Sequence, residues 1–246
     1  MPKPATGMLI TCEHGGNEVP AQFAALFAGR EAWLDSHRGL DIGSLVIARQ
    51  LAHSLDAPLI EATVTRLLVD LNRSPGRGRR YSEITRGLSA AAREALVRQY
   101  WTPYRRQVDS ALERLLSRHS QVVHVSVHTF TAVLDGVRRK ADIGLLYDPR
   151  RPPERVFCQR WQSALQHRAP ALCVRRNYPY LGRADGLTTA LRKRHAATVY
   201  LGIELEVNQA IAGQPASAWA ELREQLTRSL EAVLVAAPAQ VWQTPG

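Results

Sequence analysis

The sequence predicts an α/β fold in one domain covering residues 1–246, and two observations carry this prediction. A short apolar run at residues 8–12 and an alternating segment at residues 199–207 have the length and composition of strands. Longer segments with apolar residues at helical spacing separate these runs, and strands that alternate with helices are typical of a largely parallel, doubly wound sheet. With 246 residues, the chain is long enough to bury a substantial core.

The elements of the amino-terminal half follow from apolar spacing and from the positions of glycine and proline. A helix is expected to start at Asp41, because Ile42, Leu45 and Val46 begin an apolar stripe at three-to-four spacing. Pro103 should kink or split a long helical stretch. In chain order we predict a strand at 8–12, a loose helical segment at 21–32, the helix from 41, a strand at 57–62, an extended segment at 63–73, a basic loop at 76–87 and the interrupted helix at 89–117.

In the carboxyl-terminal half, two predicted strands alternate between an apolar and a polar face. Their polar faces carry His124, Ser126 and His128 in residues 122–128, and Glu204 and Glu206 in residues 199–207. The other predicted elements are a loop at 129–139, a strand at 141–147, a helix at 154–167, a short strand at 171–175, an ordered turn-rich loop at 177–182 and a closing amphipathic helix at 215–237.

Composition and charge exclude several classes of protein. No apolar run reaches eighteen residues, so no membrane span is expected, and the amino terminus lacks the apolar core of a secretion signal. The three cysteines have no CxxC spacing, which argues against a disulfide framework and against a cysteine-rich zinc site. We therefore expect a cytoplasmic protein.

The net charge of +10 permits binding to nucleic acid, but it would also attract small anionic substrates. The arginines are dispersed, and their one dense cluster, residues 73–80, lies in a loop that contains glycine and proline. No aromatic-interleaved RNA-binding motif or helix-turn-helix pattern accompanies them. A basic nucleic-acid-binding protein without catalysis is therefore only a remote alternative.

Four predicted strand ends carry chemically useful groups, and parallel strands place such ends along one rim of the sheet. These groups are His14, the segment from Arg66 to Arg73, His128 and Glu206. Each group alone has a structural explanation, but their coincidence at one rim favours a functional site. An arginine beside an asparagine, as in Asn72-Arg73, is suited to fix a substrate carboxylate.

Two histidines and one carboxylate, with a fourth position open, are the ligands expected of a catalytic zinc ion. His14 and His128 are the candidate histidines, whereas spacing leaves the third ligand open among Glu13, Glu18 and Asp41. Asp41 could instead simply cap the helix that it precedes. A glutamate close to such a metal can accept a proton from bound water.

Motifs along most of the chain resemble those of the N-formylglutamate amidohydrolase family and, more distantly, those of zinc carboxypeptidases and aspartoacylase. The motifs are Cys12-Glu-His-Gly-Gly-Asn, His37-Arg-Gly-Leu-Asp41, Asp70-Leu-Asn72-Arg73, Ser126-Val-His128, Asn177-Tyr-Pro-Tyr180 and Gly202-Ile-Glu-Leu-Glu206. The resemblance implies a phosphorylase/hydrolase-like αβα sandwich of three layers, with a mixed, mostly parallel sheet and one zinc ion per chain.

The resemblance also implies roles for individual residues. It treats residues 15–40 as an insertion, which favours Asp41 as the third zinc ligand beside His14 and His128. Glu206 matches the residue that acts as base and then as acid, with Glu204 as the alternative. The residues implied in binding the substrate are Arg66 (which we also count as catalytic), Asn72, Arg73, Arg139 for a second carboxylate and Tyr180 for the leaving group.

The activity implied is the hydrolysis of a small anionic N-acyl amino acid, most specifically of N-formyl-L-glutamate to formate and L-glutamate. Zinc-activated water would attack the amide, with Glu206 as general base. The alternative within the same class is a zinc hydrolase that acts on another N-acyl amino acid or on a small peptide.

Overall fold

A computed structural model describes residues 6–76 and 80–235, in which a mixed sheet lies between two layers of helices. The predicted α/β class and the mostly parallel sheet are therefore confirmed. Three parts of the sequence predictions fall outside the described residues: positions 77–79 of the basic loop, positions 236–237 of the closing helix, and both ends of the predicted single domain, 1–5 and 238–246.

Six strands form the main sheet in the order β2-β1-β3-β8-β6-β7, and β4 and β5 form a separate hairpin. Neighbouring strands of the main sheet are parallel except for β6 and β8. In the described residues the strands are β1 (Thr6–Cys12), β2 (Leu59–Glu61), β3 (Gln121–Phe130), β4 (Val133–Leu134), β5 (Val137–Arg138), β6 (Ile143–Leu146), β7 (Val174–Arg176) and β8 (Tyr200–Asn208).

The helices pack on both faces of this sheet: α3, α6 and α9 on one face, and α4, α5 and α7 on the other. Over the described part of the chain the helices are α1 (Ala24–Phe27), α2 (Glu31–Leu34), α3 (Ser44–Ser54), α4 (Ala90–Leu96), α5 (Thr102–Arg118), α6 (Pro152–Arg168), α7 (Leu187–Arg192), α8 (Gln209–Ala212) and α9 (Ala216–Val235), with a 3₁₀ turn at Ala21–Phe23.

Strand β3 is central to the sheet, and all ten of its residues are buried. As its alternation predicts, Val123, Val125 and Val127 face the core formed with α3, α6 and α9. His124 faces the other way and is bonded to the hydroxyl groups of Thr11 and Tyr200. Burial lowers the pKa of His124 to about 4, so this imidazole is neutral at pH 7.

The long helical stretch around Pro103 is interrupted, as predicted, but by a widening of the helix rather than by a loop. Five residues in π-helical conformation, Val97–Trp101, lie between α4 and α5, and Pro103 is in the first turn of α5. Proline has no N–H to donate and its ring crowds the preceding turn, so the wider hydrogen-bond spacing accommodates it.

Three sequence predictions are wrong in detail. Helix α3 begins at Ser44 and not at Asp41, and Gly43, with a φ of 85°, precedes it. Asp41 therefore does not cap the helix, because its carboxylate is bonded to other side chains. The predicted loop at 129–139 contains the end of β3 and the β4–β5 hairpin, and helix α7 was not predicted at all.

The Gly15-Gly16 pair allows a close backbone approach that no larger residue would permit. The N–H of Gly15 donates to the carbonyl of Ala62, and a Cβ atom at Gly16 would lie 2.4 Å from the carbonyl oxygen of Thr63. Neither glycine has a positive φ, so the need for glycine here is one of space and not of left-handed conformation. The chain that leaves β1 is thereby held against the segment that follows β2.

Candidate active site

A polar cleft with a volume of 360 Å³ opens at the carboxyl ends of β1, β3 and β8. The cleft is lined by nearly all of the candidate residues: His14, Asp41, Arg66, Asn72, Arg73, His128, Tyr180, Glu204 and Glu206. The parallel pairing of β3 with β8 places His128 directly opposite Glu206 and Ser126 opposite Glu204. The expectation that the strand ends bring these residues to one rim therefore agrees with their positions.

His14 is the second residue after β1 and is buried. Its Nδ1 atom lies 3.3 Å from Oδ2 of Asp41, and its Nε2 atom lies 2.8 Å from Oδ1 of Asp70. The backbone N–H of Asp41 also donates to the carbonyl of His14, at 2.9 Å. This backbone bond closes the excursion of the chain between the two residues and brings their side chains together.

His128 lies near the end of β3 and is also buried. Its Nδ1 atom is 2.8 Å from the same Oδ2 atom of Asp41 that His14 contacts. Its Nε2 atom is 3.1 Å from Oε2 of Glu13 and 2.9 Å from Oγ of Ser126. The centroids of the two imidazole rings are 5.1 Å apart, and both rings direct their Nδ1 atoms to Oδ2 of Asp41.

The donor set of His14, Asp41 and His128 fits a single metal ion. One donor atom from each residue lies within 4.8 Å of the others, and all three residues are buried. Four donors at about 2.0 Å from a tetrahedral zinc ion would lie roughly 3.3 Å from one another. The distances of 3.3 and 2.8 Å from the carboxylate to the two nitrogens are of this size.

The two other candidates for the third ligand lie elsewhere. Glu18 is exposed, and its carboxylate accepts a hydrogen bond from the hydroxyl of Thr63. Glu13 is fully buried, but it contacts the far nitrogen of His128 and accepts further bonds from Tyr104 and Ser126. Of the three candidates, only Asp41 contacts the Nδ1 atoms of both histidines.

Charges in this cluster compensate one another. Burial opposes the ionised form of Asp41, but the charge of His14 and hydrogen bonds from both histidines outweigh it, so the pKa of Asp41 is far below its usual range. Burial likewise disfavours a charged His128, yet its bonds to Asp41 and Glu13 raise the pKa of this imidazole well above its ordinary value. A cation bound between the donors would take the place of these protons.

Arg66 lies between two carboxylates at the wall of the cleft. It donates to Oδ1 of Asp41 at 3.1 Å and to Oδ2 of Asp70 at 2.9 Å, and its side chain remains 23% exposed. Burial opposes its charge, but the two aspartates outweigh burial and raise the pKa of the guanidinium. Arg66 thus keeps a fixed positive charge beside the cleft.

The backbone of Asn72 and Arg73 is held by residues that the sequence analysis missed. The buried side chain of Arg105 donates to the carbonyls of residues 71, 72 and 73, and the indole N–H of Trp101 donates to the carbonyl of Arg73. Trp101 is the last residue of the π-helical segment. The one feature that could have indicated this role is the burial of the charged Arg105 side chain, and burial cannot be read from the sequence.

The side-chain amide of Asn72 has a defined orientation. Its Oδ1 atom accepts a bond of 2.6 Å from the backbone N–H of Leu187, at the start of α7. The amide NH₂ group is therefore the part that is available to the cleft. A Cβ atom at Gly186 would lie 3.0 Å from this Oδ1, so glycine leaves room for the contact.

Glu206 and Glu204 differ in environment although both line the cleft. Oε2 of Glu206 is buried and, among the described residues, has no hydrogen-bond partner. Burial raises the pKa of Glu206 to about 8. Glu204 is less buried, and its Oε1 atom accepts a bond of 2.6 Å from Thr188. A carboxyl group with an elevated pKa and a free oxygen is suited to exchange protons near pH 7.

The raised pKa of Glu206 predicts that the free energy of unfolding of metal-free protein falls as the pH rises. Because the folded pKa of Glu206 is raised, its contribution to stability is complete below about pH 4 and is lost as the pH rises towards 8. Metal-free Glu206→Gln protein should therefore be more stable than metal-free wild type, by an amount that grows over this range to a few kcal/mol. Urea unfolding at pH 4.5, 6 and 8 tests this; an advantage independent of pH would contradict it.

Arg139 and Tyr180 lie together at the edge of the cleft. Arg139 follows β5 and donates to the hydroxyl of Tyr180 at 3.0 Å, with its guanidinium near the rings of Tyr180 and Phe130. Tyr180 lines the cleft and is 44% exposed, whereas Arg139 is not in the cleft wall. Of the predicted site residues, Arg139 is thus the one placed outside the wall, in contact with it through Tyr180.

The sequence predicts no membrane span. Within residues 6–76 and 80–235, no helix is both long and apolar enough to cross a bilayer.

An α/β sheet with a histidine- and carboxylate-lined cleft at its strand ends is an arrangement typical of enzyme active sites. The family model for N-formylglutamate amidohydrolase matches residues 6–212. The chain therefore belongs to the N-formylglutamate amidohydrolase family, as its motifs had indicated, and is an amidohydrolase.

Solved structures are similar to this chain over nearly its whole length. A gene product from Agrobacterium tumefaciens is 27% identical, with a TM-score of 0.77, and the match covers 93% of this chain and 90% of that one. An N-formylglutamate amidohydrolase from Ralstonia eutropha JMP134 is 19% identical, with a TM-score of 0.71 and 94% of each chain covered. Comparison with curated protein sequences yields no match.

Proposed function

We propose that this protein is a zinc-dependent amidohydrolase that converts N-formyl-L-glutamate to formate and L-glutamate. The observation that carries the proposal is the convergence of His14, Asp41 and His128 in one cleft with Glu206, whose Oε2 atom has no hydrogen-bond partner within residues 6–76 and 80–235. The family to which the chain belongs and the name of the Ralstonia eutropha structure support the choice of substrate. The catalytic unit is the single domain of residues 1–246.

His14, Asp41 and His128 would hold one zinc ion per chain at the wall of the cleft. When bound there, zinc supplies a Lewis acid for the substrate carbonyl and lowers the pKa of water to roughly 7. Other divalent cations suit the same donors, and zinc is favoured because two imidazoles and one carboxylate are a common catalytic zinc set.

Glu206 acts as the general base in this proposal. Its Oε2 atom, which no hydrogen bond from the described part of the chain occupies, accepts a proton from the attacking water and later donates it to the departing amide nitrogen. A positive charge in the neighbouring donor site would lower the elevated pKa of Glu206 towards neutrality, since His128 lies directly opposite on β3. Arg66, whose charge is fixed by Asp41 and Asp70, stabilises negative charge that develops on the carbonyl oxygen.

Asn72 and Arg73 bind the α-carboxylate of the substrate. The NH₂ group of Asn72 faces the cleft, and the guanidinium of Arg73 lines it while one of its N–H groups is bonded to the carbonyl of Asp185. The backbone of both residues is fixed by Arg105, so little additional ordering is needed when the substrate binds.

Arg139 is expected to determine selectivity for the second carboxylate of the substrate. It is near the cleft through Tyr180, and the loss of a charge-assisted contact costs about 1.5–3 kcal/mol. Arg139→Gln should therefore lower kcat/KM for N-formyl-L-glutamate about 10- to 100-fold, with little effect on N-formyl-L-glutamine.

The matched control for this experiment is Arg138→Gln, an exposed neighbour of Arg139 in β5. It should change neither rate. If Arg139→Gln lowered the rates for both substrates equally, the second carboxylate would be recognised elsewhere.

A substrate panel and a metal assay test the proposed function. N-formyl, N-acetyl and dipeptide substrates are assayed with protein whose zinc content is measured. A higher kcat/KM for N-formyl-L-glutamate than for all others supports the proposal, whereas preference for an acetyl or dipeptide substrate supports the alternative within the class. Salt-dependent DNA binding by an inactive protein without zinc would favour the remote alternative of a nucleic-acid-binding protein.

We place the enzyme in the cytoplasm. All three cysteines are free thiols in the structure, and two of them are buried, which suits a reducing compartment.

A further inference from the structure

Asp70 contacts both the metal side and the substrate side of the candidate site. Its Oδ1 atom lies 2.8 Å from Nε2 of His14 and accepts a bond of 3.0 Å from the backbone N–H of Asn72. Its Oδ2 atom accepts from Arg66 at 2.9 Å and lies 3.8 Å from Nε of Arg73. Asp70 is 7% exposed, and no other carboxylate in the described residues has this combination of contacts.

We propose that Asp70 is a positioning residue that couples the metal ligand His14 to the substrate anchors Asn72 and Arg73. The inference rests on the proposed function for the roles of these three partners. Asp70 itself is not a ligand, because it contacts the nitrogen of His14 that faces away from Asp41.

The first half of the coupling concerns the tautomer of His14. Nδ1 can offer a lone pair to a metal only if the proton of the neutral ring is on Nε2. Oδ1 of Asp70 accepts that proton in a hydrogen bond, which selects this tautomer and fixes the ring plane. Without Asp70, His14 could rotate or take the other tautomer.

The second half concerns the Asn72-Arg73 backbone. The same Oδ1 atom that holds His14 also accepts the N–H of Asn72, so one oxygen sets the distance between a metal ligand and a substrate anchor. Arg66 and Arg73 flank the other oxygen and hold the carboxylate in place. A displaced Asp70 would therefore misplace the ligand and the anchor together.

Glu13 provides a natural comparison, because it has only the first of these roles. It contacts Nε2 of His128 at 3.1 Å, and its other partners, Tyr104 and Ser126, are not substrate anchors. Glu13 should therefore position His128 without any effect on substrate binding. The two carboxylates can be separated experimentally on this basis.

The experiment compares Asp70→Asn and Glu13→Gln with the control Asp148→Asn, a buried aspartate that is paired with Arg150 away from the cleft. Zinc affinity is measured by chelator competition. Both site variants should bind zinc about 10- to 100-fold more weakly than wild type, and the control should not. At saturating zinc, KM for N-formyl-L-glutamate should rise about 10-fold for Asp70→Asn only.

A spectroscopic readout monitors the tautomer without any assay of activity. In imidazole ¹⁵N NMR spectra of zinc-loaded protein, His14 should carry its proton on Nε2 in wild type and in Glu13→Gln. Asp70→Asn should broaden or shift this signal and leave that of His128 unchanged. If Asp70→Asn does not fold, Asp70→Glu keeps the charge but displaces the carboxylate, and should show the same paired changes at a smaller size.

Unchanged zinc affinity in Asp70→Asn would overturn the positioning of His14, and weakened zinc affinity with a wild-type KM would overturn the coupling. Failure of the proposed function is a separate result: wild type would then be inactive on N-formyl-L-glutamate, while the zinc affinities of the variants and the NMR signals would still differ.

Discussion

Glu206→Gln is expected to lower kcat for N-formyl-L-glutamate by about three orders of magnitude, the size typical of the loss of a general base. Glutamine keeps the volume of the side chain and one oxygen, but it cannot accept and return a proton. Zinc content and KM should change little, because Glu206 is neither one of the three donors nor an anchor of the substrate carboxylate. Steady-state kinetics with parallel metal analysis measures all three quantities.

Glu204→Gln is the matched comparison, since Glu204 lines the same cleft two residues earlier on the same strand. Its carboxylate is bonded to Thr188, and we expect a decrease in kcat of less than about tenfold. If Glu204→Gln proved inactive and Glu206→Gln retained activity, the base would be Glu204.

Removal of the metal is expected to reduce activity by at least about 10³-fold, because water and carbonyl would then lack the Lewis acid. Zinc added back to chelator-treated wild type should restore activity with a stoichiometry of one ion per chain. In His128→Ala the same addition should restore nothing, because one of three donors is missing. Activity and bound zinc are followed in the same titration.

His167→Ala serves as the control for this titration, because His167 is an exposed histidine in the last turn of α6. It should regain full activity with one zinc ion. Chelator-treated wild type that kept its activity with no bound metal would contradict the proposed mechanism altogether.

Sequence alone predicted the positions of the candidate-site residues that lie on regular strands. The alternation in β3 and β8 placed His128 and Glu206 on polar faces at strand ends, and a parallel register then sets them side by side. Side-chain direction is fixed by a period of two in a strand, so this prediction needed no tertiary information. The same alternation places Val123, Val125 and Val127 on the opposite face, and the structure buries that face in the core.

The parts that could not be predicted depend on irregular backbone and on burial. Local patterns left Asp41 open between a helix cap and a ligand, and only the family resemblance favoured the ligand, because such patterns do not reveal that the helix starts three residues later and that the carboxylate faces two histidines. Asp70 was predicted only as one residue of a motif. Three of its contacts come from the turns of residues 63–73, and the fourth comes from the approach of this segment to His14. The hydrogen bonds from Arg105 to the carbonyls of residues 71–73 depend on the burial of this arginine, and burial has no sequence signature.

The closure between His14 and Asp41 has a consequence for the chain between these two residues. The backbone bond from Asp41 N–H to the carbonyl of His14, together with two bonds to the carbonyl of Gly39 from the backbone N–H of Arg66 and the hydroxyl of Thr65, joins the base of the excursion. The entropy of loop closure changes only slowly with loop length. A change in the length of residues 28–38 should therefore cost little loop-closure entropy and leave the spacing of the two donors unchanged.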